Sequence, residues 1–330
     1  MKGIRIFGLF MLVLVLLFSV IGCGDDTDSV DTDDVTVDMA VLGGPTGMGA
    51  VQLIEQNELG DSELNYDFSI MGSPDDLVGR IINGEVDIAA VPTNLASVLY
   101  NRTEGDIQLA AVNTLGVLYV LESGDSITSI EDLEGEVINV SGQGATPDFA
   151  LRYLLEEHGL TPYEDVELDF QLQHSDLAAA TAGGDVDLAL LPQPHVTTAQ
   201  MRNDDLQIAL DITEEWDNVA DDSELAMGSL IVQKDFAKEN PEVMDIFLDE
   251  YEESINFVNE NYSEAAELME KFEILPNKNV AKEAIPYSNI VFRDGQESKT
   301  FLQDFYQVLY DFEPDSVGGK LPDENFYYQR

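Results

Sequence analysis

The sequence predicts an α/β protein of two lobes, each a mixed sheet flanked by helices, with two crossover strands between them as a hinge. Three observations predict it. Residues 84–92 read GEVDIAAVP and residues 184–192 read GDVDLALLP, the same supersecondary unit met twice at an offset of 100. A strand and a small-residue corner precede each copy, with Gly44 and Thr46 in one corner and Gly144 and Thr146 in the other. Two apolar runs, 109–122 and 227–233, each contain a glycine and follow one copy apiece, as crossovers between lobes would.

The elements follow in chain order. Lys2 and Arg5 precede an apolar run from Ile6 to Ile21, which stops at Gly22 and Cys23 before a stretch of aspartates. Its 16 residues would span roughly 24 Å as a helix, short of the ~30 Å bilayer core, so residues 1–22 read as a signal peptide with a lipoprotein cleavage box. Cys23 is the only cysteine and stands at the cleavage point. Its thiol is the candidate for lipidation by diacylglycerol and acyl chains such as palmitate, and one Cys excludes both an internal disulfide and a Cys-based zinc site. Residues 23–35 read as an acidic tether.

Each unit then gives a strand, a corner, a helix ending near 58 or 158, a second strand, and a helix leading into the repeated segment. Beyond Lys234 the chain reads as helical. Asn240 is expected to cap, Pro241 takes the first turn, and apolar residues from Val243 to Val258 recur at helical spacing. Helices near 263–272 and 296–310 follow. Residues 36–114 with 229–330 are assigned to the first lobe and 115–228 to the second.

The net charge is −50, and −52 once Lys2 and Arg5 leave with the leader. Nucleic acid and anionic membrane surfaces are excluded as partners, since both need clustered Lys or Arg. The acidic residues are spread along the chain, as on a solvated surface suited to high salt, where the Debye length falls to about 3 Å at 1 M.

Strands that run into corners of Gly, Ser and Thr and then into helices should aim backbone N–H groups and positive dipole ends into a cleft between the lobes. The candidate ligand-binding residues are Thr46, Gly47 and Met48 in the first corner, Gln143, Gly144, Ala145 and Thr146 in the second, and Ser73 ahead of a helix. Thr93, Asn94, Gln193 and His195 complete the set, in the loops after the repeated strands, where open α/β sheets hold ligands. Asp87 and Asp187 read as braces of the adjoining turns, and Asp148 as a helix cap. Trp216 reads as a cleft wall, core packing or an exposed hinge position. No Lys or Arg falls in these loops, so a neutral or zwitterionic organic ligand fits better than a dianion. The three histidines, His158, His174 and His195, are too scattered in sequence to suggest a metal site, no nucleophile motif is present, and no cofactor is expected.

The cleavage box, GGPTGMGA (43–50), GEVDIAAVPTNLA (84–96), GQGATPDFALRYLLEEHGL (142–160) and GDVDLALLPQPHV (184–196) together resemble the type II periplasmic-type solute-binding proteins of ABC importers. The resemblance is to the branch that binds nitrate, sulfonate, taurine and thiamine precursors, and it covers 36–330, including GGKLP (318–322). It implies the type II periplasmic-binding-protein fold and a monomeric, non-enzymatic lipoprotein held on the extracytoplasmic face of the cell membrane. Such a protein captures a small solute by lobe closure and delivers it to a permease and its ATPase. The alternatives are a surface receptor or adhesin module on the same fold, or an enzyme related to thiamine-pyrimidine synthesis, which in that family carries a cysteine-rich motif missing here.

Overall fold

The computed structural model describes residues 35–220 and 223–330. The leader, Cys23 and the acidic stretch to Asp34 lie outside the described residues.

The first lobe opens with β1 (Thr36–Leu42), the short α1 (Pro45–Met48), α2 (Val51–Leu59), β2 (Asn65–Met71), α3 (Pro74–Ile82), β3 (Ile88–Pro92), α4 (Thr93–Arg102) and β4 (Ile107–Thr114). The second lobe holds β5 (Leu118–Glu122), β6 (Val137–Val140), α5 (Thr146–Glu157), β7 (Glu167–Asp169), α6 (His174–Gly183), β8 (Leu188–Pro192), α7 (His195–Gln200), β9 (Gln207–Asp211) and α8 (Ile212–Val219). The chain then returns through β10 (Gly228–Gln233), α9 (Lys234–Glu239), α10 (Pro241–Glu260), α11 (Tyr262–Lys271), α12 (Lys278–Ala284), β11 (Ile290–Asp294) and α13 (Gly295–Phe312). Among the described residues no helix is long and apolar enough to cross a membrane.

The sheet orders are β11-β4-β10-β3-β1-β2 and β7-β6-β8-β5-β9. Apart from the added edge strand β11, the two are the same pattern. Three parallel strands come first, then the strand that has just arrived from the other lobe, set antiparallel to the strand of the repeat. The registers coincide: Gly228 faces Pro92 and Leu118 faces Pro192. Thr93 N donates to Met227 O, as Gln193 N does to Val117 O. The repeated GxVD segment recurs because each copy must present the same edge to an incoming strand while its apolar residues fill both faces of a covered sheet. Asp87 braces β1, accepting from Asp38 N at 2.9 Å.

The run 227–233 is therefore not itself a crossover. It is β10, inside the first sheet, and the passage between lobes is made by the segment leading up to it and by residues 115–117. The first passage is flanked by a third segment: Leu115 N donates to Asn289 O, and the Tyr119 hydroxyl donates to Tyr287 O at 3.0 Å. The first passage and the start of β10 each carry a glycine for lack of room. A Cβ on Gly116 would overlap Thr213 Oγ1, and one on Gly228 would overlap Asn113 Oδ1.

One hydrophobic core runs through both lobes, and each sheet packs its other face on a separate cluster. Trp216 sits in the shared core, fully buried, its ring 5.0 Å from Tyr153 of α5 and 5.9 Å from Phe305 of α13, with Nε1 donating to Ser223 Oγ. It is core packing, not cleft wall. The helices expected after Lys234 are present, but Asn240 does not cap with its side chain, which donates back to Phe236 O instead.

Candidate functional site

The C-terminal ends of the parallel strands in both sheets meet around a cavity of about 300 Å³. Its wall is assembled from matched positions of the repeat: Pro45 and Ala145, Thr46 and Thr146, Pro74 and His174, Pro92 and Pro192, Asn94 and Pro194. Thr114 at the end of β4 and Val117 and Met227 of the two passages also line it, together with Gln193 and His195.

Six of the candidates face this cavity: Thr46, Asn94, Ala145, Thr146, Gln193 and His195. The other six lie off it. Gly47 is glycine because a Cβ would overlap the Leu42 carbonyl, and Met48 is fully buried in the first lobe's core. Ser73 caps α3 by accepting from Asp75 N. Thr93 is fully buried, with its hydroxyl 2.9 Å from Ser229 Oγ. Gln143 and Gly144 line an outer hollow with Asp148, Arg152, Glu313 and Asp315.

The cavity is poorer in backbone donors than the sequence leads one to expect. Six of the chain's twelve prolines line it, and Pro45, Pro74 and Pro147 occupy the first or second position of α1, α3 and α5. A proline has no N–H, so the helix starts that should offer donors are partly stripped of them. On α5 the third position is Asp148, whose carboxylate reaches back to accept from Gly144 N at 2.8 Å and from Arg152 Nε at 2.6 Å. Asp148 thus ties down the turn ahead of the helix and pairs with Arg152, while the N-cap position, Ala145, has no side-chain bond, so the expected cap is not made. No Lys or Arg is among the lining residues.

The polar groups that remain sit mostly in the second lobe. Thr146 is 3% exposed, and its Oγ1 is buried without a hydrogen-bond partner. Gln193 Oε1 accepts from Thr197 N at 3.3 Å and Thr197 Oγ1 at 2.8 Å, so its amide nitrogen is the end not committed to Thr197. His174 and His195, far apart in sequence, each open a helix, and their rings stack with centroids 5.3 Å apart. His174 Nδ1 bonds to Ser141 Oγ. Burial lowers the His174 pKa. Burial, and then the neighbouring His174 ring, push His195 down to about 4, so both rings are neutral at pH 7. His174 was not among the sequence candidates, although Pro74 and His174 stand at the same offset as the rest of the repeat. Among the described residues no group of three or more His, Cys, Asp or Glu could hold a metal ion.

In the first lobe Asn94 Nδ2 lies 3.5 Å from Ser316 O, at the long limit of a hydrogen bond, and Thr46 is half-buried. The cavity thus has an apolar, proline-rich wall with a few convergent polar groups, the composition typical of small-molecule sites.

Solved structures share this architecture. An ABC transporter from Parabacteroides distasonis superimposes with a TM-score of 0.75 at 24% identity, over 90% of this chain and 100% of that one. The periplasmic aliphatic sulphonate binding protein SsuA from Escherichia coli gives 0.69 at 15%, over 89% and 92%. The putative periplasmic sulfonate-binding protein SsuA from Methylobacillus flagellatus KT gives 0.63 at 20%, over 86% and 87%. No curated protein sequence is a significant match. The family profile described as NMT1/THI5 like matches residues 72–265, which take in both GxVD segments, both passages and most of the cavity wall. With more than half its length matched and the two-lobed type II fold in place, the chain belongs to the NMT1/THI5-like family.

Proposed function

We propose that this protein is an extracytoplasmic solute-binding lipoprotein. It captures a small neutral or zwitterionic organic solute in the cleft, closes its lobes over it and delivers it to the permease of an ABC importer. The observation that carries this reading is the cavity lined at matched positions by both lobes. A ligand touching both can favour a closed arrangement over an open one, which a ligand held by one lobe cannot. Family membership and the solute-binding proteins among the structural neighbours support it. The lobes are 36–114 with 229–330, and 115–228, turning about the two passages. Cys23 is the lipid attachment point, and the protein works as a monomer without cofactor or metal and without catalysis of its own.

The test is a thermal-shift screen of small organic solutes. At 100 times its dissociation constant a true ligand adds about 2.7 kcal/mol of stability. A response confined to no class of solute, or none at all, argues against the cleft as a capture site. For the anchor, Cys23→Ser should move the protein from the membrane to the soluble fraction or leave it uncleaved.

A further inference from the structure

The donors that the cleft keeps free follow from what its polar atoms already bond. The Gln193 atom that meets Thr197 N must be its oxygen, since two donors cannot bond each other, so the amide nitrogen is left with two N–H groups. That nitrogen has no partner among the described residues and is not sealed in the core, so it opens to the cavity that Gln193 lines. Ser141 stands behind the wall, 1% exposed, and its hydroxyl has a single side-chain partner among the described residues, His174 Nδ1. A hydroxyl buried so fully has no water to donate to, so its proton points at Nδ1. With Nδ1 accepting, a neutral imidazole carries its one proton on Nε2. His158 is the opposite case: its Nδ1 meets the Leu154 carbonyl at 2.8 Å, and a carbonyl only accepts, so there Nδ1 holds the proton. His174 Nε2, again without a partner and not sealed in, becomes a second donor on the same wall, and the stacked His195 ring holds its plane from one side.

We propose that Ser141 fixes the proton of His174 on Nε2, and that this N–H and the Gln193 amide are specificity-determining donors for a proton-free acceptor of the solute. Such an acceptor is a carbonyl oxygen, an unprotonated ring nitrogen or the carboxylate of a zwitterion. This rests on the reading of the cleft as the solute site. It narrows the solute class, because a group that only donates would face two donors with no acceptor between them and lose its hydrogen bonds to water for nothing. Ser141 touches no solute in this scheme and is a positioning residue.

The experiment begins without a ligand. Long-range nitrogen–proton NMR of the histidine rings, at about pH 8 where an ordinary imidazole is neutral, reads which nitrogen holds the proton. His174 should show the Nε2–H pattern and His158 the Nδ1–H pattern, and His174 should become a mixture of the two in Ser141→Ala. An Nδ1–H pattern on His174 in the parent, or an unchanged pattern in Ser141→Ala, overturns the proposal. Two uncharged probes of nearly the same shape, both small enough for a cavity of about 300 Å³, are then titrated while the His174 and His195 rings are followed. Benzoxazole has acceptors and no donor, and indole has an N–H donor and no comparable acceptor. Benzoxazole should bind the parent about tenfold tighter or more, and this preference should shrink at least about threefold in Ser141→Ala. Indole binding the parent as tightly as benzoxazole, or a preference unchanged in Ser141→Ala, overturns the proposal. If the proton positions are as expected and neither probe moves the rings, it is the assignment of the cleft as solute site that fails, and the proposal falls with it.

Discussion

The two lobes share a strand order and a register, yet they treat the end of the repeated strand differently. In the first lobe the residue after Pro92 is Thr93, sealed under the C-terminal segment: the Tyr306 hydroxyl donates to Thr93 O at 2.8 Å, and Ser97 and Asn101 donate to Val317 O. In the second lobe the corresponding stretch instead brings Gln193 and His195 to the cavity beside His174 and Thr146. A duplicated backbone therefore does not imply duplicated function. The part of the chain outside the repeat, residues 295–317 above all, decides which copy keeps polar groups free for a ligand.

The comparison can be broken most forcefully at the core the lobes share. Trp216→Ala removes a fully buried side chain between α5 and α13 and should cost about 3–5 kcal/mol. Chemical denaturation followed by far-UV circular dichroism should still show one transition. Two separated transitions would mean that the lobes are energetically independent.

Next in size is the histidine pair, which has only Pro74 and Leu95 at the matching places of the first lobe. The unfolded chain takes up a proton on His195 near pH 6.5 and the folded one only near 4. Stability is thus complete above pH 6.5, declines as pH falls through that window and levels off below about 4, by on the order of 2 kcal/mol for a partly buried ring. His195→Gln should flatten the profile between pH 4 and 6.5. An unchanged profile would place its origin elsewhere.

A sharper contrast comes from Thr46 and Thr146. Thr146→Val should weaken binding of a solute found by screening by about 1–2 kcal/mol with no loss of stability in the free protein, since its hydroxyl has no partner to lose. Thr46→Val should change affinity by less than about 0.5 kcal/mol, and equal losses in calorimetric titration would restore symmetry between the lobes. Smallest of all, Asp87→Ala should cost about 1 kcal/mol, because its carboxylate holds Asp38 N. Asp187→Ala, at an exposed position, should stay within about 0.5 kcal/mol in urea unfolding.

The repeat made much of the fold legible in advance. The repeated segment and the corner chemistry placed β1, β3, β6 and β8, and the offset of 100 paired them. What could not be read was which residues the tertiary structure would consume. Thr93 and Asn94 look equivalent as loop residues, but only packing against Tyr306 and Ser229 shows that the first is spent on the fold. The helix starts looked like donor sites because a Gly-Thr corner is visible in sequence. The cost of a proline at their first or second position appears only when six prolines converge on one cavity. The stacking of His174 on His195 joins the starts of two helices, a contact no local pattern encodes.

The exchange of strands between the lobes also bears on the order in which the chain can be completed during synthesis. The second sheet draws all its strands from residues 118–211 and can close as soon as that stretch is available. The first sheet cannot: β4 pairs only with β10 and β11, so it has no partner, and β3 has an open edge, until residues 228–233 have been made. The half that emerges first is the half finished last. Two apolar strands, IAAVP and IQLAAVNT, meanwhile wait with unpaired backbone, the kind of edge on which nascent chains aggregate and which chaperones shield.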